Sequence, residues 1–282
     1  MQPIIDTHQH LWNLDLFPLD WHKEAPYDQL ARNFLLEDYA AASEGCNIVK
    51  TIYMEVDVRS AQQGMEAEYV LKICRRGDTL MAGAVIGGRP AAADFGEYIS
   101  RFGDDPHVKG VRQGLHGLSC DACLQEDFIR GVQMLGDRGL SFDVEAPSEQ
   151  LEITGRFCDA CPDTQIILDH CAHPEFESDD LSAWQQQVAD VARRDNVVIK
   201  ISGILAHANS QVWEVEKLAP PINFLLDTFG SDRVIFGSDW PVVTINGTFK
   251  RWVDALKEIM AGRPDEEQRK LFHDNAVQVY GL

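Results

Sequence analysis

The chain has 282 residues, of which 45% are hydrophobic and 25% charged, as is typical of a folded protein with a sizeable core. Its 45 acidic residues outnumber its 25 basic residues, so the formal net charge is −20. A chain this acidic is not expected to bind nucleic acid or an anionic membrane, and we attribute the charge to solubility.

No apolar run reaches the roughly 18–20 residues of a membrane span, and no signal peptide is visible at the N-terminus. The seven scattered cysteines indicate a reduced, cytoplasmic protein rather than a disulfide scaffold. We therefore expect a small-molecule partner. The oligomeric state stays open, with a homo-oligomer as one option.

The first apolar run, Pro3–Ile5, predicts a β-strand that ends in Asp6-Thr7-His8-Gln9-His10. Because side chains alternate along a strand, Ile4, Asp6, His8 and His10 are expected to share one face. Two neutral imidazoles placed in this way can bind zinc, iron or manganese, or can donate a hydrogen bond to a carbonyl group. The spacing alone is common, so other segments must supply partners.

The segment from residue 11 to residue 36 has no clear periodicity but is rich in aromatic residues, including Trp12 and Trp21. A loop of this length in a compact domain is usually functional or disordered, and the aromatic content argues against disorder. We interpret it as a lid or wall over a site; the alternative is a hydrophobic clamp at the edge of the fold.

Short apolar runs then alternate with helical spacing along the rest of the chain. The eight predicted strands lie near residues 3–10, 49–56, 80–88, 108–112, 139–145, 164–170, 196–202 and 233–239. This pattern predicts a parallel sheet and favours a single (β/α)8 TIM barrel over residues 1–282. A doubly wound open sheet is the alternative, which the lack of a glycine-rich phosphate turn weakens.

In such a barrel the active site lies at the C-terminal ends of the strands. The polar residues at or just beyond those ends are His8, His10, Glu55, Asp57, Arg112, His116, Asp143, Glu145, His170, His173, Ser202 and Asp239. His207 follows farther along the chain after the seventh strand and is not counted in this set. Five of the nine histidines belong to this set, namely His8, His10, His116, His170 and His173. Their concentration predicts a site formed by both ends of the chain.

Each candidate has a structural alternative. Asp239 is the candidate general base, unless it only caps a helix. His170 is a candidate metal ligand or carbonyl partner, unless it is a core histidine bonded to the backbone. Arg112 can bind substrate oxygens or form a structural ion pair. Glu55 can contact the substrate or support a residue that does.

Two C-x-x-C units, Cys120-Asp121-Ala122-Cys123 and Cys158-Asp159-Ala160-Cys161, could hold a structural zinc ion. Their separation is far longer than that in a zinc ribbon, so we expect ordinary thiols instead.

Five segments together resemble the amidohydrolase superfamily, and most closely its amidohydrolase-2 branch of sugar-lactone and pyrone-dicarboxylate hydrolases. They are Asp6-Thr7-His8-Gln9-His10-Leu11-Trp12, Gly110-Val111-Arg112, Leu168-Asp169-His170, Lys200-Ile201-Ser202-Gly203 and Gly237-Ser238-Asp239-Trp240-Pro241. The ending Asn275-Ala276-Val277-Gln278-Val279-Tyr280 also looks like this branch. The resemblance covers nearly the whole chain.

The resemblance implies a distorted barrel that hydrolyses a lactone, with Asp239 activating water. It implies that His8, His10 and His170 bind either a metal ion or the lactone carbonyl, with Asp239 as a further metal ligand. Strand five has no histidine and strand four has no candidate for a carboxylated lysine, so a binuclear centre is not expected. One divalent ion, such as zinc, or none remains open.

We expect a hexono- or deoxyhexono-lactone as the substrate, because few cations surround the predicted mouth and the aromatic loop suits stacking on a sugar. The residues expected to contact it are Glu55, Arg112, Trp12, His173 and Trp240. The alternatives are a metal-dependent decarboxylase on the same scaffold, which normally needs a histidine on strand five, and a non-catalytic barrel that binds a small ligand.

Overall fold

Eight parallel strands form one sheet in the order β1 to β8 in the computed structural model, which describes residues 2–23, 25–115, 121–208 and 213–282. The strands are β1 Ile4–Gln9, β2 Ile48–Met54, β3 Met81–Gly87, β4 Val108–Gly114, β5 Ser141–Glu145, β6 Ile166–Leu168, β7 Val197–Ile201 and β8 Val234–Phe236. Each strand pairs with the next in parallel register. The predicted barrel is confirmed.

The barrel closes between its first and last strands. Gln9 forms a bridge with Trp240, and the Thr7 hydroxyl donates a hydrogen bond of 2.6 Å to the Phe236 carbonyl. Closure therefore brings the two chain ends together at the mouth.

Helices surround the sheet. They are α1 Leu36–Ala42, α2 Gln63–Arg76, α3 Phe95–Phe102, α4 Glu126–Gly136, α5 Leu151–Ala160, α6 Ser182–Val191, α7 Val215–Phe229, α8 Phe249–Met260, α9 Asp265–Arg269 and α10 Asn275–Tyr280. Helix α7 begins at Val215 and contains the Pro220-Pro221 pair. A π-helical turn, Lys270–Asp274, lies between α9 and α10.

The apolar residues form two layers. The larger layer lies between the sheet and the helices and includes Phe142, Phe157 and Trp252. The smaller fills the barrel interior with residues such as Met54 and Ile235, and the C-terminal Tyr280 packs against it. Within the described ranges, no helix has the length and apolar character needed to cross a membrane.

The aromatic segment after β1 is tied to the fold by ladder bonds between Trp12 and Phe34, whose backbone groups exchange hydrogen bonds of 3.0 and 2.9 Å. It contains two short 3₁₀ turns, Asp20–Lys23 and Tyr27–Leu30. Aromatic edge-to-face contacts join Trp21 to both Trp12 and Tyr27. The segment is thus an ordered wall beside the mouth.

Candidate active site

A bulge in β1 sets the direction of the first two candidate residues. Asp6 pairs with Thr51 and Gln9 pairs with Tyr53 on β2. The interval between the two pairs is three residues on β1 but two on β2, so β1 carries one extra residue there. The expectation that Ile4 and Asp6 share a face with the histidines is therefore wrong. Ile4 packs in the outer layer, and Asp6 accepts a hydrogen bond of 2.8 Å from the Tyr39 hydroxyl of α1.

His8 and His10 face the interior. The His10 Nδ1 atom lies 3.0 Å from the Met54 carbonyl oxygen, which can only accept, so this nitrogen carries the proton. The His10 Nε2 atom of a neutral ring is then an acceptor. Burial lowers the pKa of His8 well below its ordinary value, so the His8 ring is neutral.

Asp239 lies directly opposite these rings, in a left-handed conformation with φ of 57° just beyond β8. Its backbone N–H donates a hydrogen bond of 2.9 Å to the His8 carbonyl. Its Oδ1 atom is 3.3 Å from His10 Nε2 and 3.7 Å from His8 Nε2. Burial raises the pKa of the Asp239 carboxyl, which favours a role in moving protons.

Gly237 allows this approach of the two chain ends. A Cβ atom at Gly237 would lie 2.7 Å from the His8 Cβ and 3.1 Å from the Ser202 Cβ, closer than side chains normally come. Any larger residue would push β8 away from His8. Asp239 would then lose its position beside both histidines.

His170 enters the site from an unusual turn. Residues 170–173 all have φ between 50° and 57°, a conformation that costs non-glycine residues roughly 1–2 kcal/mol each. The turn places His170 Nδ1 3.0 Å from the Ser202 hydroxyl, and its ring centroid 4.5 Å from that of His8. Burial lowers the pKa of His170 well below its ordinary value. Strain of this kind is typical of functional sites.

Single ligand atoms of His8, His170 and Asp239 all lie within 4.8 Å of one another. Two neutral imidazoles and a carboxylate are a donor set that suits zinc and similar divalent ions. The His10 Nε2 and Asp239 Oδ1 atoms are both acceptors at 3.3 Å, and a cation or a shared proton between them would remove their repulsion. The residues present therefore fit one divalent ion, whose identity they do not determine.

Arg112 is buried among three carboxylates. Its guanidinium donates to Glu145, and its Nε and Nη1 atoms lie 3.3 Å from Asp169 and 3.6 Å from Glu55. Burial opposes its charge, but Glu145, Asp169 and Glu55 together raise the pKa of Arg112. Its charge is therefore already neutralised, as expected of the structural ion pair that the sequence left open.

Beneath the histidines lies a buried charged cluster, of which the sequence indicated only Asp143 as a site candidate. The Lys200 ammonium on β7 is 2.6 Å from Asp143 and 2.9 Å from Asp169. Burial alone would lower the pKa of Lys200, but these two carboxylates raise it above its ordinary value. The sequence does indicate that Lys200 has a partner, because a charged residue inside a buried apolar strand must be paired. It does not indicate which residues those partners are.

A cavity of about 1470 Å³ opens above this site. Its lining includes His10, Glu55, Arg112, Glu145, His170, His173 and Asp239, with Trp21 and Tyr27 from the aromatic segment. His8 is fully buried beneath them. His173 Nε2 lies 3.9 Å from Glu145.

Two predicted contact residues do not line the cavity. Trp12 is buried behind His10, with its indole N–H donating to the Arg32 carbonyl at 2.7 Å. Trp240 packs against the Phe34 and Tyr39 rings. Both side chains are buried in the wall rather than at the cavity surface.

Some predicted candidates lie outside the described residues, namely His116, Cys120 and the side chain of His207. Cys123, Cys158 and Cys161 are buried free thiols. Among the residues that the structure describes, they do not form a group close enough to hold a metal ion.

Comparison with known proteins gives relatives that match over almost their full length. An L-fucono-1,5-lactonase of Burkholderia ambifaria is 26% identical over 290 residues, which cover 99% of this chain and 95% of that protein. An L-rhamnono-gamma-lactonase of Scheffersomyces stipitis is 23% identical, covering 99% of this chain and 98% of that protein.

The fold also matches that of an amidohydrolase from Burkholderia multivorans whose crystal structure contains bound zinc. The TM-score is 0.88, with 23% identity and 99% of each chain covered. The sequence model of the amidohydrolase family matches residues 5–282, and this chain therefore belongs to the amidohydrolase family.

Proposed function

We propose that this protein hydrolyses the ring of a sugar lactone, with a hexono- or deoxyhexono-lactone as the substrate. The observation that carries the proposal is the buried Asp239 carboxyl, whose raised pKa and contact with His10 suit a general base at the cavity floor. The similarity to an L-fucono-1,5-lactonase and an L-rhamnono-gamma-lactonase supports the substrate class.

In the proposed reaction the Asp239 carboxylate takes a proton from water as the water oxygen bonds to the lactone carbonyl carbon. The protonated Asp239 can then donate its hydrogen bond to the His10 Nε2 atom, which is 3.3 Å away. The ring C–O bond of the tetrahedral intermediate breaks, and Asp239 returns the proton to the departing ring oxygen. The product is a hydroxy acid, and Asp239 is again a carboxylate.

His170 is the proposed donor to the carbonyl oxygen. The Ser202 hydroxyl can donate to His170 Nδ1 across 3.0 Å, which leaves the proton of the neutral ring on Nε2, at the cavity. A fixed N–H directed at the developing oxyanion typically contributes 10²–10³ in rate, or about 3 kcal/mol. The left-handed turn at residues 170–173 would hold this donor in place.

We further propose that a divalent ion, when bound, is held by His8, His10, His170 and Asp239. Such an ion would supply Lewis-acid polarisation of the lactone carbonyl. The zinc bound by the related Burkholderia multivorans amidohydrolase supports the binding of a divalent metal ion.

The charges around the cavity favour a neutral lactone over a dicarboxylate. Three carboxylates already neutralise Arg112, and Glu55 and Glu145 beside it are good acceptors for sugar hydroxyls. Trp21 and Tyr27 also line the cavity and provide aromatic surface, in place of the predicted Trp12. A substrate carboxylate would meet repulsion here, which also argues against the decarboxylase alternative.

The experiment is a lactone panel followed with a pH indicator, because ring opening releases acid. Asp239→Asn should fold normally and lower kcat at least 100-fold, within the usual range for loss of a general base. Asp254→Asn on α8, outside the cavity, is the control and should retain full activity. Near-normal turnover by Asp239→Asn would refute the assignment. Carbon dioxide release would indicate a decarboxylase, and no turnover with detectable binding would indicate a ligand-binding barrel.

A further inference from the structure

Lys200 has contacts that a merely structural lysine does not need. Its side chain is fully buried, and its ammonium lies 3.3 Å from His8 Nδ1 in addition to the two carboxylates. On the other side of the same ring, His8 Nε2 is buried, faces Asp239, and has no hydrogen-bond partner among the described residues. Lys200, His8 and Asp239 thus form a chain from the barrel interior to the proposed base.

The hydrogen-bonding capacity of Lys200 restricts the His8 ring. With Asp143 at 2.6 Å and Asp169 at 2.9 Å, an uncharged lysine would leave two buried carboxylates without a counter-ion. The ammonium has only donors, so the His8 Nδ1 beside it is an acceptor. A neutral imidazole whose Nδ1 accepts carries its proton on Nε2.

Asp169 is the competing partner of His8 Nδ1. Its Oδ1 atom lies 3.5 Å from Nδ1, farther than the lysine nitrogen, and would favour the opposite tautomer. Asp169 pairs with Lys200 at 2.9 Å and with Arg112 at 3.3 Å, although neither of its buried oxygens makes a hydrogen bond among the described residues. The nearer contact and these two ion pairs favour acceptance from Lys200.

We infer that Lys200 is a positioning residue that holds His8 in its Nε2–H tautomer, so that His8 directs a hydrogen-bond donor rather than a metal-binding lone pair at Asp239. The inference rests on the proposed function and deepens it. Ser202, the partner of His170, can both donate and accept, so His170 can present either tautomer. Lys200 can only donate, so His8 can present only the tautomer whose Nδ1 accepts.

Two consequences follow for the site. The donor on His8 supports Asp239 as a carboxylate, the form that a general base requires. The same tautomer withholds the His8 Nε2 atom from a divalent ion, so that of the four metal-binding residues proposed above only His10, His170 and Asp239 would remain as ligands. Loss of Lys200 should therefore weaken the base and strengthen metal binding, whereas a merely structural residue would weaken both.

The first test is ¹⁵N NMR of the imidazole nitrogens in the metal-free full-length protein, with His8→Gln used to assign the His8 resonances. We expect the proton on Nε2 in the wild type. In Lys200→Met, which keeps the length of the side chain but not its donors, the proton should move to Nδ1 and bond to Asp169. A wild-type His8 protonated on Nδ1 would overturn the inference, whether or not any lactone is hydrolysed.

The second test is zinc affinity, measured by competition with a chromophoric chelator. Lys200→Met should bind zinc about tenfold more tightly, while its chelator-treated form loses about tenfold in kcat. Asp143→Asn is the matched control, because it removes a Lys200 partner but leaves the ammonium beside His8; zinc affinity should change less than about threefold.

If Lys200→Met fails to fold, Lys200→Met/Asp143→Asn removes one positive and one negative charge together and keeps the test possible. A folded variant with unchanged zinc affinity and an unchanged His8 tautomer would overturn the role of Lys200. If the NMR and zinc results hold but no lactone is turned over, the proposed function fails and the tautomer assignment stands.

Discussion

Gly203 offers the sharpest test of the His170 geometry. It follows β7 with φ of +62°, and a Cβ atom there would lie 2.2 Å from His170 Nδ1, against 3.4 Å for an ordinary contact. Gly203→Ala therefore incurs roughly 1–2 kcal/mol of left-handed backbone strain and forces the imidazole to move by about 1 Å. A displacement of that size in a catalytic group typically costs about 100-fold in rate.

Gly77→Ala is the matched control. Gly77 ends α2 with φ of +66°, close to that of Gly203, and no atom lies within 4 Å of its added Cβ. Both variants should lower Tm by a few degrees, as about 1–2 kcal/mol does in a domain of this size. Only Gly203→Ala should lose about 100-fold in kcat/KM. If the folded Gly203→Ala variant stays within about threefold of Gly77→Ala, the proposed role of His170 is wrong.

Three further outcomes are expected. Asp239 must be ionised to act as a base and its pKa is raised, so kcat/KM should fall as the pH drops through a value above the ordinary 3.8; an acid limb below that value would contradict the assignment. Tyr39→Phe removes a bond to the buried Asp6 carboxylate and should lower the free energy of unfolding in urea by about 1.5–3 kcal/mol; Tyr98→Phe, which loses a bond to the neutral Gly87 carbonyl, should lose only about 0.5–1.5 kcal/mol. Arg112→Met leaves three carboxylates without their counter-ion and should cost about 3–5 kcal/mol in thermal unfolding at pH 7, and an unchanged Tm would show that Arg112 is not a structural ion pair.

The barrel could be predicted because its strands are continuous apolar runs separated by amphipathic helices, a pattern that does not depend on tertiary contacts. The main site residues could be predicted for a related reason. Once eight strands are placed, the C-terminal ends of β1, β6 and β8 must meet at one mouth, which brings His8, His170 and Asp239 together.

The remaining features depend on contacts that the sequence does not show. The β1 bulge reverses the side of Asp6 without any glycine or proline to signal it. Trp12 and Trp21 belong to the same aromatic segment, and only its path over the mouth decides that Trp21 lines the cavity while Trp12 is buried. Lys200 is the one charged residue of β7, and the sequence does not show which carboxylates pair with it, because Asp143 and Asp169 lie far away along the chain.

The negative charge of the cavity lining favours release of the product in the proposed reaction. Eight residues with carboxylates line it, against three arginines, and Arg112 is already neutralised. A neutral lactone enters this field without an electrostatic penalty, whereas ring opening converts it into a hydroxy-acid anion. Repulsion between the new carboxylate and the lining would favour its release. The sequence suggested a role for the negative charge only in solubility. At the mouth, this charge would also admit the neutral substrate and repel the anionic product.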